Sequence, residues 1–85
     1  MKKEDAELKA NALARHLVGK QAEHLDSKIK CMIVAVKAVP ASTRKNDFEV
    51  FCFFHLLDHA SASKEYKEEI DCFLRSYKIE QTVSI

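Results

Sequence analysis

Cys52, His55 and His59 form a Cys-x2-His-x3-His array, and Cys31, Cys72, His16 and His24 lie elsewhere in the chain. Thiolate and imidazole are natural zinc ligands, and two or three of them on one face can seed a site. The backbone decides whether they do. On a helix, positions 52, 55 and 59 share a face, which describes a zinc-stabilised helical module. On a strand, Cys52 and His55 are an odd number of residues apart and point to opposite sides. The strand reading of this stretch, given below, works against metal, and no cofactor is expected.

Other chemistry is thinner. All three cysteines sit within or beside apolar residues, where burial raises a thiol pKa and removes its reactivity. There is no glycine-rich phosphate loop, HExxH helix or nucleophile elbow. Asp47 and Glu49 stand together before an apolar run, but carboxylates at a strand start usually serve a turn or face solvent. The chain does not read as an enzyme. A nucleic-acid-binding regulator is a second alternative, with Arg44 and Lys45 in a polar loop, Lys30 and Lys37 nearby, and Ser42 and Thr43 able to reach phosphates. Against it, the aromatic residues are not interleaved with basic ones as a base-stacking surface requires. A pI near 7.7 is also low for a nucleic-acid footprint.

The elements that position these residues are organised around Phe48 to Leu57, FEVFCFFHLL, in which only Glu49 and His55 interrupt the apolar residues. Its counterpart is Cys31 to Val39, CMIVAVKAV. The segment Ile29–Val39 is rich in β-branched residues, which favours a strand ending at Pro40. A polar loop, ASTRKND, then leads into the second strand, so the two runs form an antiparallel hairpin. Ahead of them, Ala6, Ala10, Leu13 and Leu17 recur at helical spacing from Glu4 to about Val18. Gly19 either ends this helix or sits inside a longer one reaching Val39, since Val18, Ala22, Leu25, Ile29, Met32 and Val36 keep a heptad-like alternation. After Asp58, Ser61 or Ser63 can cap a second helix with Glu65 in its first turn. Tyr66, Ile70, Phe73, Leu74 and Tyr77 then share one face. Ile79 to Ile85 alternate as a short strand.

The expected fold is therefore α+β: a single domain over residues 1–85 in the order α-β-β-α(-β), with two helices on an antiparallel hairpin or sheet. An all-α three-helix bundle is the alternative. Eighty-five residues hold one small core. The odd cysteine count, without any CxxC, suits a reducing compartment. The acids that follow Lys2 and Lys3 do not suit a signal peptide, and no apolar run is long enough to cross a bilayer, so the expected location is cytoplasmic. Residues 1–45 carry ten Lys/Arg and five Asp/Glu, and residues 46–85 carry four and eight, so the two halves bear opposite charge.

Both faces of both central strands are apolar. Two helices cover one face and leave nothing for the other, where exposed Phe and Val would be costly in water. The reading is a small, non-enzymatic protein-interaction or regulatory module, acting as a homodimer or as a subunit docked on a larger protein. Its contact residues would be Met32, Val34, Val36, Phe51, Phe53 and Leu57.

Overall fold

The computed structural model describes residues 1–57 and 64–80. The chain runs α1 (Lys3–Leu17), β1 (Gln21–His24), β2 (Lys30–Pro40), β3 (Phe48–Leu56), β4 (Glu65–Glu69), α2 (Ile70–Ser76) and β5 (Tyr77–Ile79). The strands form one antiparallel sheet in the order β4-β3-β2-β1-β5. The fold is α+β, as the apolar periodicities predict, and the three-helix alternative is ruled out.

Helix α1 lays a stripe of small residues on the sheet. Ala6, Ala10 and Leu17 are buried, with Leu13 and Ala14 packed beside them. Alanine at these positions lets the helix sit close to the strands. Acids in the first turn and Arg15 and His16 in the last complement the helix dipole. The helix ends because Val18 turns to extended backbone and Gly19 adopts φ +89°. A Cβ at Gly19 would meet nothing within 4 Å, so backbone conformation, and not space, selects glycine here. The Gly19 N–H donates to the Ile33 carbonyl at 2.9 Å, which starts the pairing of the chain with β2. A single helix running on to Val39 is thereby excluded.

Strand β1 replaces the middle of that imagined helix. Only Ala22 in it is buried, and it pairs with Cys31. The β1–β2 turn is held by His24, whose Nδ1 accepts from the backbone N–H of Asp26 and of Ser27, both at 3.2 Å. Leu25 and Ile29, counted in the heptad alternation, are exposed in or beside this turn.

The central pair β2–β3 matches the predicted hairpin, with one irregularity. The register shifts between Ile33 and Ala35, leaving Val34 as an extra residue in a β-bulge. A bulge reverses the alternation of everything after it. Cys31 and Ile33 face the helices before it; Val36 and Ala38, paired with Cys52 and Val50, face them after it.

The region after β3 differs most from expectation. The helix expected to start at Ser61 or Ser63 is a strand over Glu65–Glu69 and a helix only from Ile70. Ser61 and Ser63 lie outside the described residues. Glu69 is the actual N-cap, its carboxylate accepting from the N–H of Asp71 at 3.0 Å and of Cys72 at 3.3 Å. Strand β5 begins at Tyr77, earlier than the Ile79–Ile85 pattern suggests, and residues 81–85 of that pattern lie outside the described residues.

One core results, on the helix side of the sheet. Phe73, Ile33, Ile70, Cys31 and Cys52 are its largest fully buried side chains. Its aromatic centre is Phe54, 5.2 Å between ring centroids from Phe73 and 5.6 Å from Tyr77, with Phe73 and Tyr77 stacked at 4.3 Å.

Candidate functional site

The outer face of the sheet, opposite the helices, carries the candidate surface. Alternation along β2 and β3 and the observed register place Met32 beside His55, Ala35 beside Phe53, Lys37 beside Phe51 and Val39 beside Glu49 on this side. Lys67 of β4 lies opposite Phe53, and Glu69 opposite Phe51. Met32, Phe51 and Phe53 are half-buried, and Val34, raised by the bulge, is 37% exposed. No described helix crosses this face.

Lysines provide what cover it has. The Lys37 ammonium stands 5.4 Å from the centre of the Phe53 ring, and the Lys67 ammonium 5.7 Å from that of Phe51. Each stem lies along apolar surface while its charged end stays in water. Around them, Lys30, Lys37, Lys67 and Lys78 are matched by Glu23, Glu49, Glu65 and Glu80, which share this side. Lys30 and Glu80 form an ion pair at 3.4 Å, and His55 and Glu65 approach to 3.9 Å. With Glu69, four lysines and five glutamates among the described residues leave the face close to neutral.

Of the six contact residues expected from sequence, the structure brings Met32, Val34, Phe51 and Phe53 together. Leu57, 37% exposed, lies just past the end of β3. Val36 is not on this face. It is 6% exposed and packed into the core, because the bulge at Val34 inverts the second half of β2. Ala35 and Val39 take its place. Sequence alternation alone could not reveal them, since a bulge leaves no mark in an unbroken apolar run.

The metal alternative is not assembled. Cys52 is buried on the helix side, His55 is on the outer face, and His59 lies outside the described residues. Among the described residues, no group of three or more His, Cys, Asp or Glu side chains is arranged to hold a metal ion. Burial pushes the Cys31 thiol up to about 11 and the Cys52 thiol up to about 12, so both stay protonated at neutral pH. The basic residues of the nucleic-acid alternative are dispersed. Arg44 pairs with Asp47 at 3.7 Å in the β2–β3 loop, where Lys45 is exposed. Lys30 is seven positions before Lys37, roughly 20 Å along a strand, and each already has a partner.

Among the described residues no helix is long and apolar enough to cross a membrane. No family model matches this chain, and no curated protein or solved structure matches it at a significant level. Among the described residues, fold and surface make a two-layer α+β arrangement with both helices on one sheet face and an apolar cluster, rimmed by lysines and glutamates, on the other.

Proposed function

We propose that this chain is a non-enzymatic protein-interaction module that works as a homodimer, using its outer sheet face as the contact surface. The observation that carries this reading is the cluster of Met32, Val34, Phe51 and Phe53 on the side opposite both helices. Large apolar side chains grouped on one face gain most by exclusion of water, at about 25 cal/mol per Å2. The near balance of four lysines and five glutamates there disfavours a polyanionic partner such as nucleic acid. A second copy suits a nearly neutral face, because a two-fold axis lays the same apolar cluster on itself and brings glutamates of one copy toward lysines of the other. The three free cysteines favour a reducing, cytoplasmic setting.

Molar mass by light scattering over a wide range of protein concentrations tests the reading. The wild-type chain is expected to self-associate through this face, and Phe53→Glu to lower the molar mass of the assembly while leaving the far-UV circular dichroism spectrum unchanged. A wild-type monomer at all concentrations, or an assembly whose molar mass is indifferent to Phe53→Glu, refutes it.

A further inference from the structure

We propose a second, separate self-association surface: the outer edge of β4, which pairs antiparallel with the same edge of another copy in a register centred on Tyr66. It joins two sheets edge to edge through main-chain hydrogen bonds, and so differs from the outer-face contact even though the Glu65 and Lys67 side chains lie on that side of the sheet.

Three observations carry this. The first is position. β4 is a terminal strand of the sheet, and among the described residues no strand pairs with its outer side. The second is backbone direction. The Leu57 N–H donates to the Lys30 carbonyl and the Ala41 N–H to the Asp47 carbonyl. By antiparallel alternation these bonds turn the odd-numbered residues of β3 toward β2 and the even-numbered toward β4. Glu65, Lys67 and Glu69 lie opposite odd-numbered partners His55, Phe53 and Phe51, so their own backbone groups aim outward, away from β3. The edge therefore offers main-chain donors and acceptors at alternate residues, as strand addition requires.

The third observation is charge order. From residue 64 the chain reads Lys64, Glu65, Tyr66, Lys67, Glu68. Turned about Tyr66 by a two-fold axis, each of the four charges in this stretch meets its opposite: Lys64 faces Glu68 of the second copy, Glu65 faces Lys67, and the reciprocal pairs follow by symmetry. This register also sets outward-aimed Glu65 opposite outward-aimed Lys67, which is the hydrogen-bonded pairing. Tyr66 meets its own copy in a non-hydrogen-bonded position, where side chains approach most closely and aromatic pairs gain most. Neighbouring registers of the same parity are worse. Centring on Lys67 opposes the two lysines and sets Glu65 against Glu69; centring on Glu65 opposes two glutamates. Charged edge strands commonly serve to keep copies apart. Here their order under a two-fold axis attracts in one register and repels in the adjacent ones, which specifies one pairing.

Because such an axis stands perpendicular to the sheet, it places both helix layers on one side and both outer faces on the other. The product is one ten-stranded sheet with its two apolar clusters side by side.

Charge reversal tests the edge directly, with light scattering as the readout and circular dichroism confirming the fold. Lys67→Glu and Glu65→Lys each oppose like charges twice across the axis, and each should weaken edge association by about tenfold or more. The two changes combined restore every opposite-sign pair and should recover wild-type association. High salt should weaken wild type and the double variant alike. If Lys67→Glu does not fold, Lys67→Pro serves instead: its lost N–H is one that aims away from β3, so the ladder survives while the edge is blocked. Phe53→Glu separates the two surfaces, because it should leave edge association intact. Association insensitive to both single reversals, reversals that the double variant fails to rescue, or a wild-type monomer would each overturn the edge proposal. Loss of all association in Phe53→Glu alone would overturn it too, while leaving the outer-face reading standing.

Discussion

The two faces of the β2–β3 pair are built from the same kinds of residue and end in opposite environments. On one side Cys31, Ile33, Val36, Val50, Cys52 and Phe54 are sealed by α1 and α2. On the other, Met32, Val39, Phe51 and Phe53 are half-buried and Val34 is exposed, with lysines over the two rings and no described helix above them. Hydrophobicity therefore does not say which face becomes the core. Sequence order does, because it places helices only where the connections let them lie. A helix preceding β1 and one linking β4 to β5 both fall on the same side, and the β2 bulge recruits Val36 to it.

The difference can be broken at its centre. Phe54→Ala removes the ring that contacts Phe73, Tyr77 and Tyr66, and should cost about 3–5 kcal/mol by chemical denaturation. Phe53→Ala, one residue away on the outer side, should cost about 1–2 kcal/mol, reflecting partial burial and one cation–π contact. Equal losses at the two positions would mean that the outer face is as much a core as the inner one.

Smaller effects sharpen the comparison where the chain changes side. Gly19→Ala forces a side chain into positive φ as α1 hands over to β1, at about 1 kcal/mol. Thermal unfolding should show it without any change in the outer face. Glu69→Ala removes the cap that turns β4 into α2 and should cost about 1 kcal/mol or less. Burial acts to raise the Glu69 carboxyl, but the N–H groups of Asp71 and Cys72 outweigh it and hold the group below its usual range. The folded pKa is thus lower than the unfolded one. The stabilisation is present above the unfolded value and is lost as pH falls through the folded value. A wild-type minus Glu69→Ala stability difference that grew on acidification would contradict this cap.

Much of the architecture was legible. The helical spacing of Ala6, Ala10, Leu13 and Leu17, the stop at Gly19, and the β-branched and aromatic runs at β2 and β3 each carry a local physical preference. The hairpin follows, and with it the prospect of an open apolar face. β1 and β4 were illegible because little in QAEH or EYKEE marks a strand. These segments are extended because the free edges of β2 and β3 offer hydrogen bonds that a local helix would leave unmade. Tyr66 shows the same override. It sits at helical spacing from Ile70 and Phe73, yet a strand brings it to Phe54 equally well.

The sequence by itself favoured α+β over a helical bundle, marked the runs of β2 and β3 as the apolar centre, and set the cysteines among apolar residues with no Cys-x2-Cys pair. Only the tertiary structure decided that Val36 faces inward, that Cys52 and His55 are on opposite sides, and that a charged segment closes the sheet as β4. Helix and hairpin formation answer to neighbours a few residues away. Bulges, edges and the choice of covered face answer to pairing between distant segments, and that energy belongs to the assembled sheet.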